Sequence, residues 1–162
     1  LEALDPGLAN AAVSTRVEAS QPVIVERAQY WPDPAPQWYE AHGSPALQTA
    51  GTKWGLAEGR VGGPSAYQTY ILLANPQGAD AHVTITFLRE TGAPFTKTFT
   101  VPATQRFNVQ IGPGTDVPEL SDERFGALIT SDQPIAVERA MYANAGSQVW
   151  AAGTSASATP LP

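Results

Sequence analysis

The 162-residue sequence predicts an all-β fold, an antiparallel β-sandwich of immunoglobulin-like or jelly-roll-like type with about 10–11 strands. Apolar and polar residues alternate in short runs, which is typical of half-buried strands. Turns rich in Gly and Pro separate these runs. A third observation is an internal duplication, because segments 21–30 and 133–142 are identical at 7 of 10 positions. We therefore expect one sandwich domain over 1–162.

The individual strands follow from the alternation. The run 83–87 alternates apolar residues with threonines, and 95–101 and 107–111 do the same. The longer apolar run 67–74 is predicted to be a central strand, because a strand buried on both faces loses its alternation. The predicted strands cover 13–19, 22–30, 38–42, 53–58, 66–74, 81–89, 95–101, 105–111, 124–130, 134–142 and 148–152.

The duplication extends beyond its ten-residue core. Residue 133 lies 112 positions after residue 21, and the same offset relates Trp38 to Trp150. Residues 6–45 and 118–157 are therefore interpreted as copies. A period of 112 residues suits a whole sandwich domain, because solenoid repeats run about 20–50 residues. The chain would then hold one full period and the final third of a preceding copy, in a parent protein with tandem domains.

Composition excludes several classes of protein. The net charge is −6 with only two lysines, so the chain is poorly suited to bind nucleic acid or an anionic membrane. The absence of Cys excludes disulfides, thiolate metal sites and a cysteine nucleophile. No run of 18 apolar residues is present, so no segment is expected to insert into a membrane. Low Lys with abundant Ala, Thr, Gly and Pro favours an exported bacterial module.

Several motifs together resemble a recurring bacterial signature. Val-Glu-Arg-Ala-x-Tyr occurs at 25–30 and again at 137–142. Trp-x-x-Ala-Glu-Gly at 54–59 precedes Tyr-x-x-Leu-Ala-Asn-Pro at 70–76, and a Thr-Val-Pro-Ala turn follows at 100–103. Over about 21–152 the chain is similar to tandem β-sandwich repeats of large secreted or surface proteins of environmental bacteria. That resemblance implies neighbouring domains of the same polypeptide as partners, and it brings no assigned activity.

The second copy departs from this signature. Trp31 follows the first Val-Glu-Arg-Ala-x-Tyr motif, whereas Ala143 follows the second. Thr154 likewise stands at the position equivalent to His42. The surface around the tryptophan is therefore expected to differ between the copies. Both histidines, His42 and His82, are expected at the surface, solvated or hydrogen-bonded.

Two arginines lie in apolar rows of predicted strands. Arg139 shares its row with Ile135 and Val137, and Arg27 occupies the equivalent row of the first copy. A buried guanidinium needs a carboxylate or several carbonyl groups. Glu58 is the predicted partner, so Glu58, Arg139 and Arg27 are assigned to structural ion pairs. The alternative is an arginine that binds a ligand.

The aromatic residues near the first copy are the candidate binding residues. Tyr30, Trp31, Trp38 and Tyr39 lie within ten positions of one another. Exposed rings of this kind stack on sugars, which would make Trp31 and Tyr39 the main contacts of a carbohydrate site. The alternative is packing in the core or between domains. The recurrence of Trp38 as Trp150 favours a structural role for that pair.

The sequence predicts no catalytic residues, no metal site and no cofactor. It lacks the motifs of zinc proteases, serine hydrolases and phosphate-binding loops. Residues 116–123 include four acidic residues that could bind calcium, but their spacing does not match a calcium loop. A glycosidase needs two close carboxylates, and the sequence identifies no such pair.

The favoured function is a non-catalytic structural or adhesion module of a tandem-repeat extracellular bacterial protein. Rigid sheets would then hold neighbouring domains at a fixed separation. The alternative is a carbohydrate-binding module with a glycan as its partner, and a hydrolase is the third hypothesis. Residues 1–50 are expected to pack on the main body, with the two copies flanking it, because isolated strands would expose an apolar face. The alternative is that they complete the sheet of a neighbouring molecule.

Overall fold

A computed structural model describes residue 3 and residues 5–9, 11–31 and 40–162. The predicted all-β fold is confirmed: the protein is an antiparallel β-sandwich. Its described part begins with a short 3-10 helix at Pro6–Leu8. The ten strands of the described residues are β1 (Glu26–Trp31), β2 (Glu40–Pro45), β3 (Gly51–Val61), β4 (Gln68–Ala74), β5 (Ala81–Arg89), β6 (Phe95–Val101), β7 (Arg106–Ile111), β8 (Glu123–Ala145), β9 (Gln148–Ser157) and β10 (Thr159–Pro160).

The strand β8 is 23 residues long and belongs to both layers of the sandwich. Its first half lies between β3 and β5, in a layer with the order β10-β3-β8-β5-β6. Its second half lies between β4 and β9, in a layer with the order β7-β4-β8-β9. The sequence predicts two strands here, at 124–130 and 134–142, and this prediction is wrong. Pro134 does not end the strand, because it lies between the last residue paired with β5, Ser131, and the first residue paired with β4, Ala136. No hydrogen bond to β4 or β5 is lost there for want of a proline amide.

The core lies between the two layers and is built from alternate residues of the central strands. On β5, Val83, Ile85 and Phe87 are almost completely buried, and the residues between them are partly exposed. This is the alternation that predicted the strand. The other large side chains with no appreciable exposure are Trp54, Ile71, Leu73, Val101, Val109, Val117, Leu120, Ile129, Ile135 and Val137.

The Trp-x-x-Ala-Glu-Gly motif forms the middle of β3. Trp54 is buried, and its Nε1 donates to the carbonyl of Gly51 at 3.0 Å. Gly59 lies at a bulge, where a Cβ atom would collide with the ring of Phe125. The motif therefore supplies a core tryptophan and the space for a core phenylalanine.

The Asn-Pro pair of the second motif anchors the turn between β4 and β5. The side chain of Asn75 is buried, and its amide nitrogen donates to the carbonyls of Ala79, Val101 and Pro102 at 2.8–3.2 Å. Its amide oxygen accepts from the backbone nitrogen of Gln77 at 3.0 Å. One side chain thus ties this turn to the end of β6.

The segment before β1 differs from the prediction. Strands are expected at 13–19 and 22–30, but the described residues 11–25 form none, and β1 begins at Glu26. The equivalent residues of the second copy are held between β3 and β5. In this chain β8 already occupies that position, so the first copy has no ladder to join. The predicted strand at 38–42 lies partly outside the described residues, and β2 begins at Glu40.

Candidate functional site

The hairpins β1–β2 and β8–β9 have the same strand register. Glu26 pairs with Pro45, and the residues 112 positions later, Glu138 and Ser157, pair with each other. The equivalence holds for all six pairs between β1 and β2. The two sequence copies are therefore also structural copies over these hairpins.

The first hairpin packs on the outer face of the second layer, beside β9. Arg27 and Trp31 of β1 face this surface, and Arg27 Nη1 lies 3.1 Å from Glu138 Oε2. Trp31 packs with Ala140 and Tyr142, which lie on the outward face of β8. The equivalent of Arg27 in β8 is turned toward the interior. The two copies thus meet through non-equivalent faces.

Trp31 occupies a shaped site that we call the Trp31 slot, formed by Tyr142, Trp150 and Gly153. The Trp31 side chain is buried, and its ring meets that of Tyr142 edge-on, with centroids 5.5 Å apart. Its Nε1 donates to the carbonyl of Trp150 at 2.7 Å. A Cβ atom on Gly153 would lie 2.7 Å from the Trp31 ring, so only glycine leaves room for it. The close fit and the satisfied indole nitrogen mark this as a specific docking contact.

The floor of the slot is held by two further interactions. Trp150 stacks on Tyr142 with ring centroids 4.8 Å apart. Its backbone adopts the left-handed conformation with φ of 52°, which for a non-glycine residue costs about 1–2 kcal/mol. Asn144 Oδ1 accepts from the Trp150 backbone nitrogen at 2.9 Å and supports this conformation. The strained residue, Trp150, is thus the one whose carbonyl accepts the hydrogen bond from Trp31.

His42 lies beside Trp31, with ring centroids 5.3 Å apart. Both of its ring nitrogens are buried without a hydrogen-bond partner in the described part of the chain. Burial lowers the pKa of His42, and the Arg27 guanidinium lowers it further, against the opposing effects of Glu138 and Glu40. The docked imidazole is therefore neutral. The expectation of a solvated or hydrogen-bonded surface residue is wrong for His42, whereas His82 is exposed and lies 2.7 Å from Asp132.

The structure brings two of the three predicted ion-pair residues together. Arg139 Nη1 lies 3.3 Å from Glu58 Oε2. The arginine side chain is 6% exposed and the glutamate side chain is 68% exposed, so a buried cation reaches a carboxylate at the surface. Arg27 pairs instead with Glu138 and remains substantially exposed, because β1 has no sandwich interior of its own.

Of the predicted aromatic site, the structure describes Tyr30 and Trp31, and these two side chains lie on opposite faces of β1. Trp31 is 7% exposed, so its ring faces the Trp31 slot and not solvent. Tyr30 projects from the opposite face of β1 and is 54% exposed. Trp38 and Tyr39 lie outside the described residues. The replacement of Trp31 by Ala143 in the second copy was the sequence signal that Trp31 has a role specific to the first.

The acidic residues of 116–123 are directed to separate partners. In the residues that the structure describes, no group of three or more His, Cys, Asp or Glu is placed to hold a metal ion. The Lys97 ammonium hydrogen-bonds to Glu119 and lowers the pKa of that carboxyl. The pairings are Asp116 with the Gln110 backbone nitrogen, Glu119 with Lys97, Asp122 with Arg60, and Glu123 with Arg89.

The described residues contain no helix with the length and apolar character needed to cross a membrane. No family model and no curated protein matches the chain. Among solved structures, the chain is similar to the crystal structure of Thermotoga maritima 1070, at 14% identity with a TM-score of 0.58. This similarity covers 70% of this chain and 96% of that one. The Anabaena sensory rhodopsin transducer matches at 29% identity over 58% of this chain and 86% of its own, with a TM-score of 0.47.

The Thermotoga similarity concerns the fold. The covered 70% of 162 residues corresponds to about 113 residues, close to the 112-residue period of the internal repeat. Nearly all of the other chain is matched within that length.

Proposed function

We propose that the protein is a non-catalytic structural or adhesion module of a tandem-repeat extracellular bacterial protein, secreted or at the cell surface. In this proposal the terminal hairpin of one repeat docks on the outer face of the next repeat. The observation that carries it is Trp31 of the first copy seated in the slot of the second. The neighbouring domains of the same polypeptide are then its principal partners.

The connection between hairpin and body supports a rigid joint. The hairpin ends at Pro45 and the body begins with Gly51, so only 46–50 join them. The backbone nitrogen of Ala46 donates to the carbonyl of Val25 at 2.9 Å, which extends the hairpin by one more hydrogen bond. A short connection that is docked at its far end leaves little freedom for the two units to reorient. Such a joint suits a stalk or spacer.

The carbohydrate-binding alternative has less support. The ring of its central residue, Trp31, is buried in the Trp31 slot, and the indole nitrogen donates to the Trp150 carbonyl. Neither is therefore available to a sugar. A sugar platform needs exposed ring faces, and of the predicted aromatic residues that the structure describes, Tyr30 is the one that is exposed. The structural proposal uses the same aromatic residues and explains why Gly153 is a glycine.

The test is a series of fusion proteins that contain 6–45 followed by one, two or three copies of 46–157. At each internal junction, Ala143→Trp and Thr154→His supply the docking residues of the first copy. The matched control carries Gly153→Ala in every copy. Small-angle X-ray scattering then measures the maximum dimension of each protein.

A docked array is expected to lengthen by a constant increment per repeat. The control is expected to lengthen more slowly, toward the square-root dependence of flexibly linked domains. The same dependence in both series would contradict the proposal.

A further inference from the structure

The first copy carries an apolar face that the body leaves uncovered beyond Val13, which is half-buried and whose carbonyl accepts from Arg106 Nη1 at 3.1 Å. Val17 is 52% exposed and Val23 is 60% exposed. Their equivalents 112 positions later, Ile129 and Ile135, are fully buried. Equivalent aliphatic residues of the two copies are thus exposed in the first copy and buried in the sandwich in the second.

The second copy identifies what covers such a face. Ile129 pairs with Trp54 of β3 on one side and with Ile85 of β5 on the other. Farther along β8, Ala136–Tyr142 pair with β4. The expected cover is therefore a set of strands with the sequences of β3, β4 and β5.

The pairing of β1 indicates the same partner. In the described part of the chain, β1 forms a ladder with β2 alone, whereas the equivalent part of β8 lies between β9 and β4. Ile24, just before β1, is 93% exposed, and its equivalent Ala136 pairs with Ala74 of β4. The second edge of β1 is thus positioned to accept a strand of the β4 type.

We infer that residues 11–31 act as the β8 strand of a preceding repeat and complete a sandwich whose β3-, β4- and β5-type strands that repeat supplies. This inference rests on the proposed tandem function and names the surface and the partner. Residues 11–25 become a strand when the partner is present. Arg27 then exchanges Glu138 for the glutamate equivalent to Glu58, as Arg139 shows in the second copy.

The Trp31 slot is compatible with this insertion. Ala143 and Thr154, the equivalents of Trp31 and His42, lie at the tip of the β8–β9 hairpin, where Thr154 is exposed and Ala143 is half-buried. The tip of the first hairpin can therefore dock on the following repeat while its base enters the preceding one. One hairpin would then link two consecutive sandwiches.

The test adds the missing strands from the chain itself. Residues 46–117 are fused before residue 6, so that the protein reads 46–117 followed by 6–162. Amide hydrogen exchange of 13–25 is compared with that of the 162-residue chain. We expect exchange to slow by about 100-fold or more, because these amides enter a sheet. Unchanged exchange of 13–25 in a folded fusion would overturn the inference.

Val23→Asp provides the matched variant. In the 162-residue chain it should leave the thermal midpoint unchanged, because Val23 faces solvent. In the fusion it should abolish the protection of 13–25, as expected of a charge in the core. A large loss of stability in the 162-residue chain would show that this face is already covered, and would overturn the inference.

A cross-link keeps the test decisive if the fusion is only marginally stable. Thr84 pairs with Thr130, whose equivalent in the first copy is Glu18, and the chain has no native cysteine. Cysteines at Thr84 of the added segment and at Glu18 should form a disulfide under oxidation, and the same segment with Ala11→Cys should not. Equal cross-linking at both positions, or none at either, would overturn the inference.

The exposure of Trp31 in the fusion reports separately on docking. Protection of 13–25 with an exposed Trp31 would contradict the proposed docking function and support the inserted strand. A shielded Trp31 with unprotected 13–25 would contradict the inserted strand alone.

Discussion

Gly153 is the residue on which the docking of the first hairpin depends most directly. Its missing side chain admits the Trp31 ring, and a methyl group there would also lie 2.8 Å from Tyr142. We expect Gly153→Ala to release the hairpin and to cost about 1–3 kcal/mol in urea titration. Limited proteolysis near 46–50 should accelerate with it. Gly43→Ala is the control, because a Cβ there meets its nearest neighbour at 3.5 Å. Equal effects of both substitutions would contradict a specific slot.

Arg139 and Glu58 differ in burial, and this asymmetry predicts unequal mutant stabilities. Arg139→Met replaces a buried guanidinium with an apolar side chain, so we expect a small change in unfolding free energy. Glu58→Leu leaves the buried cation without its carboxylate and should cost about 1–3 kcal/mol. Glu90→Leu is the control, because both partners of the Arg124–Glu90 pair are exposed. Equal losses for the first two variants would argue against the pair.

We expect the docking to depend on pH through His42, whose ring lies against Trp31. Its folded-state pKa is lowered by burial and by Arg27, while the unfolded chain keeps the ordinary value of about 6.5. The unfolded state therefore binds the proton more readily. The stabilisation is complete above the unfolded pKa and is lost as the pH falls from that value toward the folded one.

We expect the thermal midpoint to fall and Trp31 to become accessible as the pH falls below about 6.5, the ordinary pKa of the unfolded chain. His42→Thr, which copies the residue of the second repeat, should remove this dependence, and His82→Gln should retain it. If His42→Thr left the pH profile unchanged, a titrating group other than His42 would be responsible, and this prediction would be wrong.

Asn75 acts at the scale of an element, because it holds the β4–β5 turn against β6. Asn75→Asp keeps the shape but loses the three donated hydrogen bonds. We expect a loss of about 2–3 kcal/mol in unfolding free energy. Asn108→Asp is the control, since Asn108 accepts from Arg106 through its side-chain oxygen. A comparable loss in both variants would contradict the assigned role of the turn.

Strand periodicity predicted the elements whose partners lie in the same body. The predicted strands 81–89 and 95–101 coincide with β5 and β6. The prediction failed for 13–19, which has the sequence of a strand but forms no ladder within the described residues. Periodicity states which face of a segment is apolar, and it does not state which strands flank that segment. The two strands predicted for β8 were wrong for a related reason, because a proline ends pairing only where the ladder needs its amide.

At the scale of the whole molecule, the repeat found in the sequence also relates the two hairpins that form the Trp31 site. The 112-residue offset relates Arg27 to Arg139, yet only Arg139 pairs with Glu58, and Arg27 pairs with Glu138. The docking role of Trp31 was not predictable, since it depends on a glycine 122 positions away that has no motif around it. In the described residues, the two layers form one sandwich, and the β1–β2 hairpin packs on the outer face of its second layer.

The most direct test of this account is the solvent accessibility of Trp31 in a single-tryptophan variant with Trp38→Phe, Trp54→Phe and Trp150→Phe. Acrylamide quenching of its fluorescence should be weak at neutral pH, because the ring is buried in the slot. Adding Gly153→Ala should raise quenching to that of an exposed tryptophan. Strong quenching of Trp31 before Gly153 is changed would contradict the docked hairpin and the module proposed from it.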